Sequence, residues 1–321
     1  MEGLISGRTY NKTPTTIDEQ INRLINRGLV CDNKSKLAKY LEAIGYYRLS
    51  AYWLPYEESP LEGKTRSKRF REGTTFEEIL ALYIFDRQLK LLVMEAIERI
   101  EIHVRSRWTN RFTLEYGAHG YMNPAYFNCP WKHHTMLTKL VSRVEKSNEV
   151  FHSHYKATYE EPFLPPQWAV CQTMSFTELS TWYSATLNNK IKDQVALDLG
   201  LPNKELMTGT LEALSYIRNI CAHHGRLWNR GLVKRAPKIK RFRSDMLLTP
   251  EKPTDGQAQE AVNSVYNALV VILHMLAKQS VTTTFPSRLF DHIKTATKKQ
   301  RKLMGFPEDW QTRPIWSKIT A

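Results

Sequence analysis

The stretch TTFEEILALYIFDRQLKLLVMEAIERIEIHVRSRWTNRFTLEYG, from Thr74 to Gly117, constrains this chain more than any other. It reads as one helix of many turns. Thr75 followed three residues later by Glu78 forms a capping box at its start. Ile79, Leu82, Ile84, Leu89, Leu92, Met94, Ile97, Ile100 and Val104 cover too much of the circumference for a helix with a single buried face. The expectation is a central helix, buried on most sides.

The rest of the chain supplies more helices and almost no strand alternation. Residues 1–15 read as an extended arm. TTIDEQINRLINRGL reads as a short helix capped by Thr16 or Asp18. KSKLAKYLEAIGYYRLSAYWLPYE is a helical run that ends at Pro55. SPLEGKTRSKRFREGT is a basic loop, a β-turn or short hairpin carrying Lys64, Arg66, Lys68 and Arg69. Gly117, Gly120, Pro124 and Pro130 mark a loop after the long helix. KHHTMLTKLVSRVEKSNEVFHSHYKATYE reads as a helix whose polar face holds His133, His134, His152 and His154, facing solvent or a ligand. EPFLPP breaks it, and QWAVCQTMSFTELSTWYSATL is helical again. NNKIKDQVALDLG stops at Gly200 and Pro202. KELMTGTLEALSYIRNICAHHGRLW runs on as a helix, followed by the irregular basic segment RGLVKRAPKIKRFR. DGQAQEAVNSVYNALVVILHMLAKQS and SRLFDHIKTATKKQRKLMGF read as two closing helices. The fold class is all-α. The organisation is an arm at 1–15, an N-terminal helical region with the basic loop at 16–74, a helical core at 75–285 and a C-terminal helical extension at 286–321.

Charge narrows the partners. With 46 Lys and Arg against 32 Asp and Glu, the chain of 321 residues carries +14 at pH 7. A surface with that excess suits a polyanion, of which nucleic acid is the commonest. No apolar stretch of membrane-spanning length is present, so no membrane partner is expected. MEGLISGRTYNKTP lacks the apolar core of a signal peptide. Cys31, Cys129, Cys171 and Cys221 show no metal or disulfide spacing. A cytoplasmic location is expected.

The segment YIRNICAHHGRLWNR, from Tyr216 to Arg230, carries the candidate chemistry. Continued as a helix, it sets Asn219 four residues before His223, on the same face. Metal binding fits poorly, because adjacent His223 and His224 cannot both turn to one ion from a helix and no acidic partner falls at helical spacing. No G-x-S-x-G elbow is present. Cys221 reads as a core filler rather than a nucleophile. Arginine with histidine does make chemical sense. Cleavage of RNA by internal attack needs a proton shuttle and charge stabilisation at phosphate. Histidine supplies the first and the planar guanidinium the second.

RNICAHHGRLWNR resembles the signature of the Abi-like family, the bacterial abortive-infection proteins of the AbiD and AbiF type, within the HEPN superfamily. YLEAIGYYRLSAYWLPY, LYIFDRQLKLLVMEAIERIEIHVRSRW and MSFTELSTWY resemble further segments of that family. The resemblance implies a HEPN-like helical bundle with additional helices. It implies metal-independent, cofactor-free cleavage of RNA to a 2′,3′-cyclic phosphate, in defence against bacteriophage or as the toxin of a toxin–antitoxin pair. Arg218, Asn219 and His223 match the catalytic pattern, with His224 as an alternative spacing. One motif copy per chain implies a homodimer with a shared site.

Other residues are expected in support. Glu98, Glu101 and Arg105 share a face of the long helix and could orient Arg218 or His223, or simply form a packing network. Arg226 and Arg230 could grip phosphates, and Trp228 could stack a base or fill the core. Lys234, Arg235, Lys238, Lys240, Arg241 and Arg243, with the loop cations Lys64 to Arg69, suit RNA, either as the partner that restrains the protein or as substrate. A regulatory non-coding RNA, or a protein antitoxin, is the expected restraint. The rival reading of the same residues is a non-catalytic protein that holds a structured RNA.

Overall fold

The computed structural model of the chain describes residues 12–60, 66–248, 265–279 and 283–320. Among them the regular structure is helical, and β pairing is limited to isolated bridges. The fold is all-α. Two compact units, Met1–Arg87 and Gln88–Ala321, divide the chain inside the long helix.

In the first unit, α1 (Ile17–Asn26), α2 (Lys34–Ile44) and α3 (Tyr46–Trp53) precede α4 (Phe76–Tyr116), of which residues 76–87 belong here. Of the two candidate caps for α1, Thr16 is the one used, in a full capping box with Glu19. The helical run read from Lys34 breaks at Gly45, where φ is 87°. Glycine takes that left-handed conformation without steric cost, and a helix cannot continue through it. Thr75 and Glu78 cap α4 reciprocally as expected. The basic loop closes as a short antiparallel pairing. Glu58 N–H donates to Arg69 C=O and Arg71 N–H to Tyr56 C=O, both at 2.9 Å. Arg66 donates to the buried carboxylate of Glu57, so part of the loop's charge is neutralised within the fold. Lys68 and Arg69 are exposed, while Lys64, most of the N-terminal arm and the start of the helix read from Asp255 lie outside the described residues.

In the second unit α4 is the spine. Leu89, Val93, Ala96, Ile97, Ile100, Val104, Trp108 and Phe112 are at most 1 % exposed and follow the 3.6-residue repeat. Burial on most sides does not hold for this half, because Leu91 is 60 % and Ile102 55 % exposed. The apolar residues off the stripe line an open cleft, described below, instead of the core.

The helix read from Lys132 is two, α5 (Pro130–Lys146) and α6 (Val150–Thr158). Ser147 turns extended between them, and its hydroxyl accepts from Glu149 N–H at 3.3 Å. Serine competes with the helical backbone in this way. The histidine face is likewise divided. His133 is buried, with Nε2 2.8 Å from Tyr121 C=O and its ring stacked on Phe127. His152 is fully buried, so only His134 and His154 face solvent as expected.

Next come α7 (Gln167–Val170), α8 (Phe176–Ala185), α9 (Asn189–Asp198) and α10 (Lys204–Ala222). Ser175 and Glu178 form the capping box that starts α8. α11 (Val265–Ala277) is enclosed on nearly every side. The single closing helix expected from Ser287 to Phe306 is two, α12 (Phe285–Thr295) and α13 (Lys298–Leu303), and α14 (Pro314–Thr320) follows beyond it. Thr297 opens α13 with its own capping box.

Burial holds His103, His152 and His274 below the ordinary histidine range; for His274 it outweighs the opposing carboxylate of Asp245, 2.9 Å away. Each binds a proton less tightly folded than unfolded. Their contribution to stability is therefore intact above about pH 6.5 and is lost as pH falls through the depressed folded values. Thermal melts between about pH 7.5 and 5.5 should show a falling midpoint, and His152→Leu should flatten that slope. A midpoint that rises on acidification would contradict the assignment.

Candidate functional site

Asn203 caps α10 by accepting from Leu206 N–H at 2.9 Å. Met207, Leu211, Leu214, Ile217 and Cys221 form its buried face, at spacings of three and four. Arg218 and Asn219 flank that face and are half-buried, and His223 is exposed at the C-cap.

The helix ends differently from its sequence reading. It stops at Ala222 instead of running to Trp228. Gly225 N–H donates to Ile220 C=O at 2.8 Å and His224 N–H to Cys221 C=O at 2.9 Å. These two bonds define a Schellman motif. Its left-handed residue is His224, at φ 56°. Glycine usually takes that position, since a Cβ there costs about 1–2 kcal/mol. A Cβ on Gly225 would meet Ile220 Cγ2 and the Ile220 carbonyl at 3.2 Å and Arg230 Nη1 at 3.5 Å. The Arg230 guanidinium thus lies against the end of the motif helix. Leu227 and Trp228 are fully buried and anchor the chain just past the motif. Trp228 therefore packs in the core and offers no face to a base. Arg226 is half-buried.

Two concavities meet at Arg218 and Asn219. The first is an open cleft of about 580 Å³, lined by Arg218 and by Leu91, Met94, Glu95, Glu98, Glu101, Ile102 and Arg105 of α4. The structure thus brings Glu98, Glu101 and Arg105 beside Arg218. Arg105 bonds Glu101 at 2.8 Å and Met174 C=O at 2.8 Å. The second is a groove of about 190 Å³ between α8 and α10, lined in part by Asn219. Asn219 Oδ1 lies 3.5 Å from Arg218 Nη1, and its Nδ2 lies 3.4 Å from Thr177 Oγ1. The Asn219 side chain is thus directed to α8. His223 lines neither concavity.

The irregular segment after the motif is pinned by Leu232, Ala236, Ile239, Phe242 and Met246, all buried. Lys234, Arg235, Lys238, Lys240, Arg241 and Arg243 alternate with them and are exposed. None of these six makes an ion pair within the described residues. The sequence showed their charge; the alternation of anchors and cations is what directs that charge outward. Among the described residues no cluster of three or more His, Cys, Asp or Glu is arranged to hold a metal ion, and no helix is long and apolar enough to cross a membrane.

No curated protein and no solved structure matches the chain. The family model described as Abi-like protein matches residues 39–229. That span covers more than half of the chain and takes in α4, α8, α10 and the segment from Arg218 to Asn229, so the chain belongs to the Abi-like protein family.

Proposed function

We propose that this protein is an endoribonuclease of the HEPN type, acting in abortive-infection defence against bacteriophage. The reading rests on the end of α10. An exposed imidazole at the C-cap and a second imidazole in a conformation that glycine normally takes stand there, five and six residues after the half-buried Arg218. Backbone held in an unfavourable region clusters at functional sites.

In the proposed reaction His223 takes the proton of a ribose 2′-OH. The 2′-oxygen attacks phosphorus, the bond from phosphorus to the 5′-oxygen breaks, and the leaving oxygen gains a proton. The products are a 2′,3′-cyclic phosphate and a 5′-hydroxyl. Arg218 stabilises the charge on the phosphoryl oxygens, and Asn219 positions Arg218. Incubating the pure protein with RNA in EDTA, and identifying the product ends by mass spectrometry, tests this. Intact RNA after prolonged incubation with active-concentration protein would refute it.

His224 provides a separate test. His224→Gly should raise stability by up to about 1 kcal/mol, because it relieves the left-handed Cβ. RNA cleavage should fall in the same variant. A more stable protein with unchanged cleavage would show that the imidazole of His224 has no part in the reaction.

We also infer that two copies assemble across the cleft. Leu91, Met94 and Ile102 offer apolar area that a two-fold axis would bring together. Ile102→Glu should convert a dimer to a monomer of 37.4 kDa in light scattering and abolish cleavage. A wild-type monomer that cleaves RNA would exclude the shared site.

The six exposed cations after the motif favour a second reading, in which the protein holds a structured regulatory RNA. Under it, RNA co-purified from cells expressing the flanking genomic DNA is one dominant short species. Lys238, Lys240, Arg241 and Arg243 changed to glutamate release it. A protein antitoxin would appear instead as a stoichiometric polypeptide.

A further inference from the structure

The groove between α8 and α10 is lined by polar side chains. Thr177, Ser180, Thr181 and Ser184 recur at i, i+3, i+4 and i+7 along one face of α8. Glu212, Ser215, Tyr216 and Asn219 repeat the same spacing along the facing side of α10. Lys132 and Lys234 complete the lining. Both lysines are exposed and form no ion pair within the described residues.

Part of this lining is used internally. Thr177 Oγ1 and Ser215 Oγ share a bond of 2.6 Å, and Thr181 donates to Thr177 C=O at 2.8 Å. Ser180 is not used in this way. It is 5 % exposed, it lines the groove, and its hydroxyl has no hydrogen-bond partner among the described residues. The Tyr216 and Ser184 hydroxyls likewise have none there. The Ser180 hydroxyl thus keeps its hydrogen-bonding capacity for whatever fills the groove. A ligand that donates and accepts at that point would use it.

The size of the groove selects the kind of ligand. About 190 Å³ is less than the roughly 300–1,000 Å³ of pockets that enclose whole small molecules. It suits a fragment of a longer molecule. Hydroxyls that donate and accept match sugar hydroxyls, and lysines match phosphates on either side of a sugar. The Glu212 carboxylate disfavours a phosphate inside the groove but accepts from a sugar hydroxyl. Asn219 joins the groove to Arg218, and Lys234 joins it to the cations that follow the motif.

We infer that this groove is the subsite for one ribose of the bound RNA strand, next to the cleaved linkage, and that it reads the 2′-hydroxyl. Lys132 and Lys234 hold the phosphates that flank that ribose. The inference rests on the ribonuclease reading, in which the strand passes Arg218 and His223.

The test uses the full chain carrying His223→Ala, with a single-stranded RNA oligonucleotide and the DNA of the same sequence. Binding is read by fluorescence anisotropy across a salt series. The parent should prefer RNA over DNA. Combining Ser180→Ala, Thr181→Val and Ser184→Ala should remove that preference, at about three- to tenfold per hydroxyl bond lost. Lys132→Ala and Lys234→Ala should weaken RNA and DNA equally, each lowering the salt slope by about 0.7. Tyr216→Phe deletes one hydroxyl with little change of shape, so it repeats the test if the triple variant melts early. Equal binding of RNA and DNA by the parent, or a preference that survives in both the triple variant and Tyr216→Phe, would overturn the subsite. It would do so even where the wild type cleaves RNA through His223. Conversely, a wild type that cleaves nothing while the groove variants abolish RNA preference would overturn the nuclease reading and leave the ribose subsite standing.

Discussion

With alanine in place of His223, RNA cleavage should fall by about 10²–10⁴-fold, the usual contribution of a positioned general acid or base. Folding should be nearly unaffected. His223 is exposed, and the bond it gives the helix is from its backbone N–H to Asn219 C=O, which alanine retains. Affinity for RNA should also stay close to wild type, because the cations that would hold phosphates lie elsewhere. Arg218→Lys makes a complementary test. It keeps the positive charge but loses the planar fork. A donor aimed at charge that develops in the transition state is worth about 10²–10³-fold. Turnover should therefore drop far more than binding. Cleavage by His223→Ala at the wild-type rate would remove His223 from the mechanism.

The sequence made the helices legible where periodicity and capping chemistry agreed. Thr75 with Glu78 is used in the fold as the capping box it spells, and Thr16 is the one of its two candidates that caps α1. Periodicity failed where a single residue changes the backbone. Gly45 and Ser147 each end a helix inside a run that still looks amphipathic. The motif shows the same effect most clearly. Turning through 100° per residue from Arg218 places His224 on a helix that has already ended at Ala222. Gly225 was a signal for that end, but the left-handed position falls one residue earlier, on a histidine, which ordinary preferences do not foresee. The grouping of Glu98, Glu101 and Arg105 on one face could be read directly from their spacing. Their arrival beside Arg218 could not, since it depends on how α4 and α10 pack. The groove was not legible in the sequence: the polar faces of α8 and α10 share one spacing, but only their juxtaposition, with Ser180 of α8 in the lining, gives that pattern a chemical meaning.

The largest cost to the fold is expected at Arg105. Its side chain is 12 % exposed and pairs with Glu101, itself 14 % exposed, at 2.8 Å. The same guanidinium nitrogen donates to Met174 C=O at 2.8 Å, immediately before the capping box that starts α8. Arg105 thus ties the spine helix to the helix that carries the hydroxyl face. In Arg105→Ala the Glu101 carboxylate stays largely buried without its partner and the Met174 carbonyl loses its donor. Breaking a buried pair from one side costs about 3–5 kcal/mol, on the order of 10 °C in the melting midpoint for a unit of this size. Glu101→Gln should cost less, because the amide oxygen still accepts from Arg105 and carries no charge. Arg105→Met combined with Glu101→Leu should recover most of the loss, since no uncompensated charge remains and the volumes are kept. A double variant that melts as low as Arg105→Ala would place the cost in the Met174 bond instead. In that case Glu101→Leu alone should be nearly neutral, and the cleft beside Arg218 would owe its shape to the tie between α4 and α8.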